Sequence, residues 1–543
     1  MRVAEHVGRV LADLGVAHAF GVVGSGNFEV TNALRAYGVP FTAARHECGA
    51  ATMADAYARL SGRLTVATVH QGCGLTNALT GIGEAAKSRT PMLVLAADTA
   101  GSSVRSNFRI DQDAAVTAVG AVAERVHSAG SAVADTVRAY RAAVHERRTV
   151  VLNLPLDVQA MEVSEPGPVA VPPAPQPVRP HPESVTELAG LLSSARRPVF
   201  VAGRGARGAA AELRELGERA GALLATSAVA NGLFTDDPWS LGISGGFASP
   251  LAAELIAGAD VLVGWGCALN MWTMRHGALI GHDTTVVQVD VDASALGAHR
   301  PVDLGVVGDT ALTARDVAAV AEPREGYRTG GVRRRIAQRI RWRDESYVDL
   351  SPGGRIDART LSARLDDLLP AERVVAVDSG NFMGYPSAYL SVPDENGFCF
   401  TQAFQSIGLG LASAIGAALA RPDRLPVAAL GDGGGLMSVA ELETVARLGL
   451  PMVIVVYNDA GYGAEVHHFA GPGVDLDAVR FPDTDFAAIA RGFGCDAVTV
   501  RGEPDLGGVS GWLAGPRDRP LLIDAKIADD GGSWWLAEAF RGH

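Results

Sequence analysis

Long uncharged apolar runs are missing from these 543 residues; none reaches the roughly 18 positions that a membrane-spanning helix requires. Positive charge is scarce, since lysine occurs only at Lys87 and Lys526 and the formal net charge is -13. Arginine is abundant in its place, which we read as a bias of composition. The acidic balance argues against a nucleic-acid or anionic-membrane surface, because phosphate binding needs clustered positive charge. Cysteine is sparse too. Cys48, Cys73, Cys267, Cys399 and Cys495 are odd in number, scattered and outside any metal-ligand spacing. Reduced thiols of a cytoplasmic protein are expected, not a disulfide framework. The first residues lack a basic start, apolar core and small-residue cleavage site, so no secretory signal is expected.

What is present is ordinary globular composition, 48% hydrophobic and 20% charged, in a chain too long for a single core. The stretch Ser164 to Pro182 is dense in proline, which lacks a donor and fixes its backbone, so an extended linker is expected there. A second boundary is expected in the polar, glycine-containing stretch 323–352. Three blocks result, 1–163, 183–322 and 353–543, and no short-period repeat relates them. Each alternates short apolar runs with helical stretches, for example 92–98, 261–266 and 425–430. That pattern predicts α/β architecture, three doubly wound parallel sheets whose ligands sit at the carboxyl ends of the strands.

The most informative stretch is 425–469. An apolar strand ends at Leu430 and opens into Gly431-Asp432-Gly433-Gly434-Gly435; a helix is then expected near Ser438, where Ser438 and Glu441 have capping-box spacing. Gly449 and Pro451 stop it, and a second strand is expected from Met452 to Tyr457. Glycines at a strand-to-helix turn let backbone N–H groups approach a diphosphate. An acid in that turn, with an oxygen ligand after the next strand, can hold one hard divalent cation.

This stretch, ending in Asn458-Asp459-Ala460-Gly461-Tyr462-Gly463, resembles the signature of thiamine-diphosphate enzymes of the acetolactate synthase, benzoylformate decarboxylase and benzaldehyde lyase group. The resemblance implies pyrimidine-binding, central and diphosphate-binding domains in that order. It implies magnesium or a similar cation held by Asp432, Asp459 and the Gly461 carbonyl, with Gly431, Gly433, Gly434, Tyr462 and Gly463 around the cofactor. Family members usually carry asparagine at the Asp459 position; aspartate is an equally good hard donor, and Asn458 is the alternative ligand.

Arg45-His46-Glu47, followed by CGAATMADAYARLSGR, is similar to the family segment whose glutamate pairs with the aminopyrimidine ring. Glu47 would thereby favour the tautomer that lets the cofactor deprotonate itself. The plainer alternative is an acid stabilising a helix N-terminus. Resemblance also implies cofactor contacts at Thr76, Asn77, Gly380, Asn381, Gln405 and Ser406, and places Ile407 under the cofactor. His70 and Ser25 match a histidine and a serine of benzoylformate decarboxylase, and a histidine suits proton transfer near neutrality. A backbone-paired histidine and a turn serine are the plainer alternatives. His276 could reach the site from the central block or be an interface residue, and Glu465, His467 and His468 could line the pocket or face solvent. The stretch Asn107-Phe108-Arg109 lacks the family's glutamine, and 266–276 departs from the flavin-contacting segment of acetolactate synthases, so flavin is doubtful.

The leading expectation is decarboxylation of a 2-oxo acid with transfer of the acyl fragment to a second carbonyl. Simple 2-oxo acid decarboxylation and a catalytically degenerate cofactor-binding paralogue are the alternatives. The resemblance further implies a homodimer or homotetramer with the active site at the subunit interface.

Overall fold

The computed structural model describes residues 1–163 and 169–541. Part of the proline-rich segment, 164–168, lies outside the described residues; its continuation runs without helix or strand to His181. Its last proline is not linker but the first residue of the helix Pro182–Ser194, the one helical position where a missing N–H does no harm.

Three parallel six-stranded sheets follow one another along the chain. The first contains β1 (His18–Gly21), β2 (Phe41–Ala43), β3 (Thr65–Val69), β4 (Met92–Asp98), β5 (Val122–Arg125) and β6 (Thr149–Pro155), in the order β2-β1-β3-β4-β6-β5. The central sheet contains β7 (Pro198–Ala202), β8 (Leu223–Thr226), β9 (Ser240–Ile243), β10 (Val261–Trp265), β11 (Thr285–Asp290) and β12 (Leu304–Val307). Its order, β9-β8-β7-β10-β11-β12, is that of a dinucleotide fold. The third contains β13 (Arg373–Val377), β14 (Phe398–Phe400), β15 (Leu425–Gly431), β16 (Val453–Asn458), β17 (Asp496–Val500) and β18 (Leu521–Lys526), ordered β14-β13-β15-β16-β18-β17. First and third sheets therefore share one topology, a repeat too long for a short-period search. Strands such as β4 and β13 are buried along their whole length, as expected of parallel strands covered on both faces.

The first and third units share one apolar core. At its centre the helix Glu47–Ser61 packs on the helix Gly410–Ala420. Both are rich in alanine and glycine, and a Cβ on Gly416 would lie 2.3 Å from the Met53 carbonyl oxygen, so only small residues allow this approach. Among the described residues no helix is long and apolar enough to cross a membrane.

In each outer sheet the order in which the chain adds strands reverses between two parallel neighbours, β1 and β3 in the first and β13 and β15 in the third. Such switch points open a crevice at the carboxyl ends of the strands. Ser25 follows β1 and His70 follows β3; Asp378 follows β13 and Asp432 follows β15.

Candidate active site

After β15 the chain does not wait for Ser438 to begin its helix. The helix is Asp432–Met437, with Asp432 as its first residue, and Ser438 ends it, donating its hydroxyl to the Gly434 carbonyl at 3.0 Å. Position 434 must be glycine, because a Cβ would meet an Asp378 oxygen at 2.4 Å and the Gly408 nitrogen at 3.0 Å. Glu441 is no capping-box partner either. It opens a separate helix, Glu441–Arg447, and its carboxylate accepts the backbone N–H groups of Arg45 and His46 at 3.0 and 3.1 Å, fixing the turn that leads into Glu47.

Asp432 is buried and accepts the Gly461 N–H at 3.1 Å. Asp459 lies within hydrogen-bonding reach of it, and both carboxyls are pushed above the usual carboxylate range. Burial is the larger cause for each; at Asp459 the like charge of Asp432 adds to it. The Gly461 carbonyl accepts no hydrogen bond from the described residues. Two adjoining acids and a free carbonyl form a donor set that suits a hard divalent cation, which would relieve the repulsion. Asn458, the alternative ligand, is engaged elsewhere: its amide donates to Asp524 at 3.1 Å and Thr484 at 3.2 Å, and its oxygen accepts the Ala460 N–H. Gly463 must be glycine, because a Cβ would fall 2.1 Å from an Asp459 oxygen.

The floor of this half depends on Asp378, the first residue of the strand-end segment Asp378-Ser379-Gly380-Asn381, which resembles a diphosphate-contacting segment of the family. Asp378 is fully buried and accepts the N–H groups of Ser379, Gly408 and Leu409 at 2.8, 3.0 and 3.2 Å. It thereby ties the end of β13 to the turn carrying Gln405, Ser406 and Ile407, and burial raises its pKa to about 6. Gln405 adopts a left-handed φ of 60° in that turn. Ser406 turns its hydroxyl to the Ile407 carbonyl at 3.1 Å. The Asn381 side chain accepts the Ser533 hydroxyl at 2.8 Å, which anchors the C-terminal segment.

A cavity of about 1910 Å³ lies against these elements, lined by Gly380, Asn381, Gln405, Ile407, Gly431, Asp432, Gly433, Gly434, Asp459, Gly461, Tyr462 and Gly463. His276 and Glu465 also line it. His276 has a ring nitrogen 2.9 Å from the Glu538 carbonyl oxygen, so it holds the C-terminal helix Leu536–Ala539 against the central unit. His468 stacks on Phe540 with ring centres 3.9 Å apart, and His467 approaches Asp529 and Asp530.

The first unit gathers a second cluster. Glu47 is the first residue of its helix, capped by His46, and accepts the Asn77 amide at 3.1 Å. The Ser25 hydroxyl lies 3.4 Å from a His70 ring nitrogen; the other ring nitrogen is 3.0 Å from the Gln71 carbonyl oxygen. Phe108 meets the His70 ring edge-on at 5.0 Å. A Cβ on Gly74 would touch both His70, at 3.0 Å, and Glu47, at 3.4 Å, so one glycine separates the two side chains. Thr76 bonds back to the Cys73 carbonyl at 2.9 Å within its own helix. The glutamine missing from 107–109 is present a turn later. Gln112 is buried and accepts the Gly72 N–H at 2.9 Å, supporting the turn after His70. Ser25, Glu47, His70, Thr76 and Asn77 do not line the large cavity.

The chain matches three family profiles in order. They are the thiamine pyrophosphate enzyme N-terminal TPP binding domain over residues 1–117, its central domain over 185–317 and its C-terminal TPP binding domain over 378–525. A probable 2-ketoarginine decarboxylase of Pseudomonas aeruginosa is 31% identical over 513 residues, covering 92% of this chain and 89% of that protein. A sulfoacetaldehyde acetyltransferase of Rhodobacter capsulatus is 28% identical over 93% of this chain and 90% of its own length. The acetolactate synthase large subunit of Parasynechococcus marenigrum is 27% identical over 84% of this chain and 76% of its own length. The chain thus belongs to the thiamine pyrophosphate enzymes of the decarboxylase and acyltransferase kind, taking thiamine diphosphate as cofactor and acting on carbon–carbon bonds.

Proposed function

We propose that the protein decarboxylates a 2-oxo acid and then protonates the product carbon, with Ser25 and His70 as the proton-handling pair. The observation that carries this reading is the 3.4 Å contact between Ser25 and His70 beside Glu47. A hydroxyl and an imidazole so placed can deliver a proton to a product carbon. Similarity to a 2-ketoarginine decarboxylase supports the same outcome.

Asp432, Asp459 and the Gly461 carbonyl would hold a magnesium-type ion. Backbone N–H groups of the turn Gly431–Gly434 would receive the diphosphate, and Ile407 would support the cofactor from below. Bound thiamine diphosphate supplies the nucleophilic carbon and the electron sink that a 2-oxo acid needs to lose carbon dioxide. Glu47 would protonate and orient the aminopyrimidine ring, with Asn77 holding its carboxylate. His276 would act at a distance, by keeping the C-terminal helix over the cavity. Because the Glu47 cluster lies outside the cavity of its own chain, we assign it to the site of a second copy, which makes a dimer the smallest active unit. Flavin has no place in this reading: at the β7 turn of the central sheet, Gly203 and Gly205 donate to the Trp265 and Gly266 carbonyls at 2.8 and 3.0 Å. Those N–H groups are not free for a pyrophosphate.

Ligation to a second carbonyl is the competing outcome, favoured by the acetyltransferase relative. Incubation with a panel of 2-oxo acids, with and without an acceptor aldehyde, separates the two. Free aldehyde as the main product in both arms supports the proposal; a hydroxyketone that dominates whenever acceptor is present overturns it.

A further inference from the structure

A second cavity, of about 290 Å³, opens away from the cofactor elements, where the segment before the third unit meets the C-terminal segment. Its walls are aromatic. Trp342 and Trp534 stack with ring centres 4.0 Å apart, and Tyr385 meets Trp534 edge-on at 5.6 Å. Tyr347 and Tyr389 complete the cage. One cation already rests on it: the Arg359 guanidinium lies 4.4 Å from the centre of the Tyr347 ring, and Asp357 matches its charge with bonds to two of its nitrogens.

Asp530 and Glu345 also line the cavity, Glu345 already paired with Arg339 at 2.9 Å, and Arg359 is the single cationic side chain of the lining. Asp530 accepts the Tyr385 hydroxyl and the Gly532 N–H, which leaves lone pairs on both oxygens. Tyr389 is only 5% exposed, yet its hydroxyl has no hydrogen-bond partner among the described residues.

We propose that this cavity binds a small organic cation bearing N–H donors, of the alkylammonium or alkylguanidinium class. Aromatic faces attract cations through their quadrupoles, most strongly where water is excluded. Arg359 and Glu345 are already paired, which leaves Asp530 as the carboxylate without an arginine partner, so an anion is disfavoured. The Tyr389 oxygen and Asp530 accept the N–H groups. The volume admits a short-chain cation and is too small for a nucleotide, since drug-sized ligands occupy about 300–1,000 Å³. The site shares a wall with the larger cavity: Trp534 meets Trp535 edge-on at 4.3 Å, and Trp535 lines that cavity.

The test is a tryptophan-fluorescence titration of the cofactor-loaded protein with n-butylammonium and n-butylguanidinium, against butyrate and butanol at equal concentrations. Saturable change with either cation, and none with butyrate or butanol, supports the site. Tyr389→Phe conserves volume and should weaken cation binding about tenfold. If that variant does not fold, Asp530→Asn should do the same. Absence of a saturable response to both cations, an equal response to butyrate, or unchanged affinity in the folded variant overturns the proposal.

Discussion

Replacing Asp378 by alanine strips three N–H groups, the half-buried ones of Ser379 and Gly408 and the buried one of Leu409, of the acceptor they reach at 2.8–3.2 Å. A buried donor left unpaired costs about 1–3 kcal/mol and a half-buried one less, so the substitution should destabilise the protein by roughly 2–5 kcal/mol at pH 5. Its effect should also depend on pH. Burial raises the Asp378 pKa from 3.8 to about 6, so its folded form holds the proton more tightly than its unfolded form. Stability from that proton is fully present below pH 3.8 and is lost as pH rises through 6. The gap between wild type and Asp378→Ala should therefore shrink by about 1.4 kcal/mol between pH 5 and pH 7.5. Urea unfolding of both proteins at each pH measures this. The freed turn carries Ile407, so thiamine diphosphate affinity at pH 7.5 should fall at least about tenfold, one such N–H bond being worth over 1 kcal/mol. An unchanged urea midpoint at pH 5 together with unchanged cofactor affinity would refute the bracing role.

Glu47→Ala is expected to lose roughly two to four powers of ten in carbon dioxide release while still binding cofactor; near-normal turnover would remove Glu47 from its role. Asp459→Asn should keep magnesium-dependent cofactor affinity within about tenfold, since an amide oxygen is still a hard donor, whereas Asp459→Ala should lose it, as fluorescence titration would show. Gly463→Ala puts a methyl 2.1 Å from the Asp459 carboxylate, so the magnesium needed for half-maximal activity should rise severalfold. Mixing inactive Glu47→Ala and Asp432→Ala chains should restore about a quarter of wild-type activity, because half the dimers are mixed and each has one intact site. No recovery after subunit exchange would place both half-sites in one chain.

The strands were the easiest part to read, because parallel strands covered on both faces leave continuous apolar runs such as 453–457. The glycine turn around Asp432 was legible for a similar reason: close backbone approach leaves glycine as its trace. Its helix was misplaced to Ser438 because glycine runs read as irregular chain, and only the contact of Gly434 with Asp378 explains why position 434 must be glycine. Asp378 was visible only as one residue of the family-like segment 378–381, and Gln112 left no signal of its own. Each is one polar residue whose importance lies in the distant N–H groups it accepts, at Gly408 and Gly72. The engagement of His276 with the Glu538 carbonyl and of Glu441 with Arg45 and His46 joins residues hundreds of positions apart, which no local pattern encodes. The shared topology of the outer sheets was invisible for the same reason, since strand order leaves no local pattern in sequence.

The measurement that bears most directly on this account is calorimetric titration of thiamine diphosphate into the metal-free protein, before and after magnesium is added. The account predicts saturable binding, one cofactor per chain, that appears with magnesium and disappears in the Asp432→Ala variant. Binding that is absent in both conditions, or equally strong without the ion and in the variant, would contradict it.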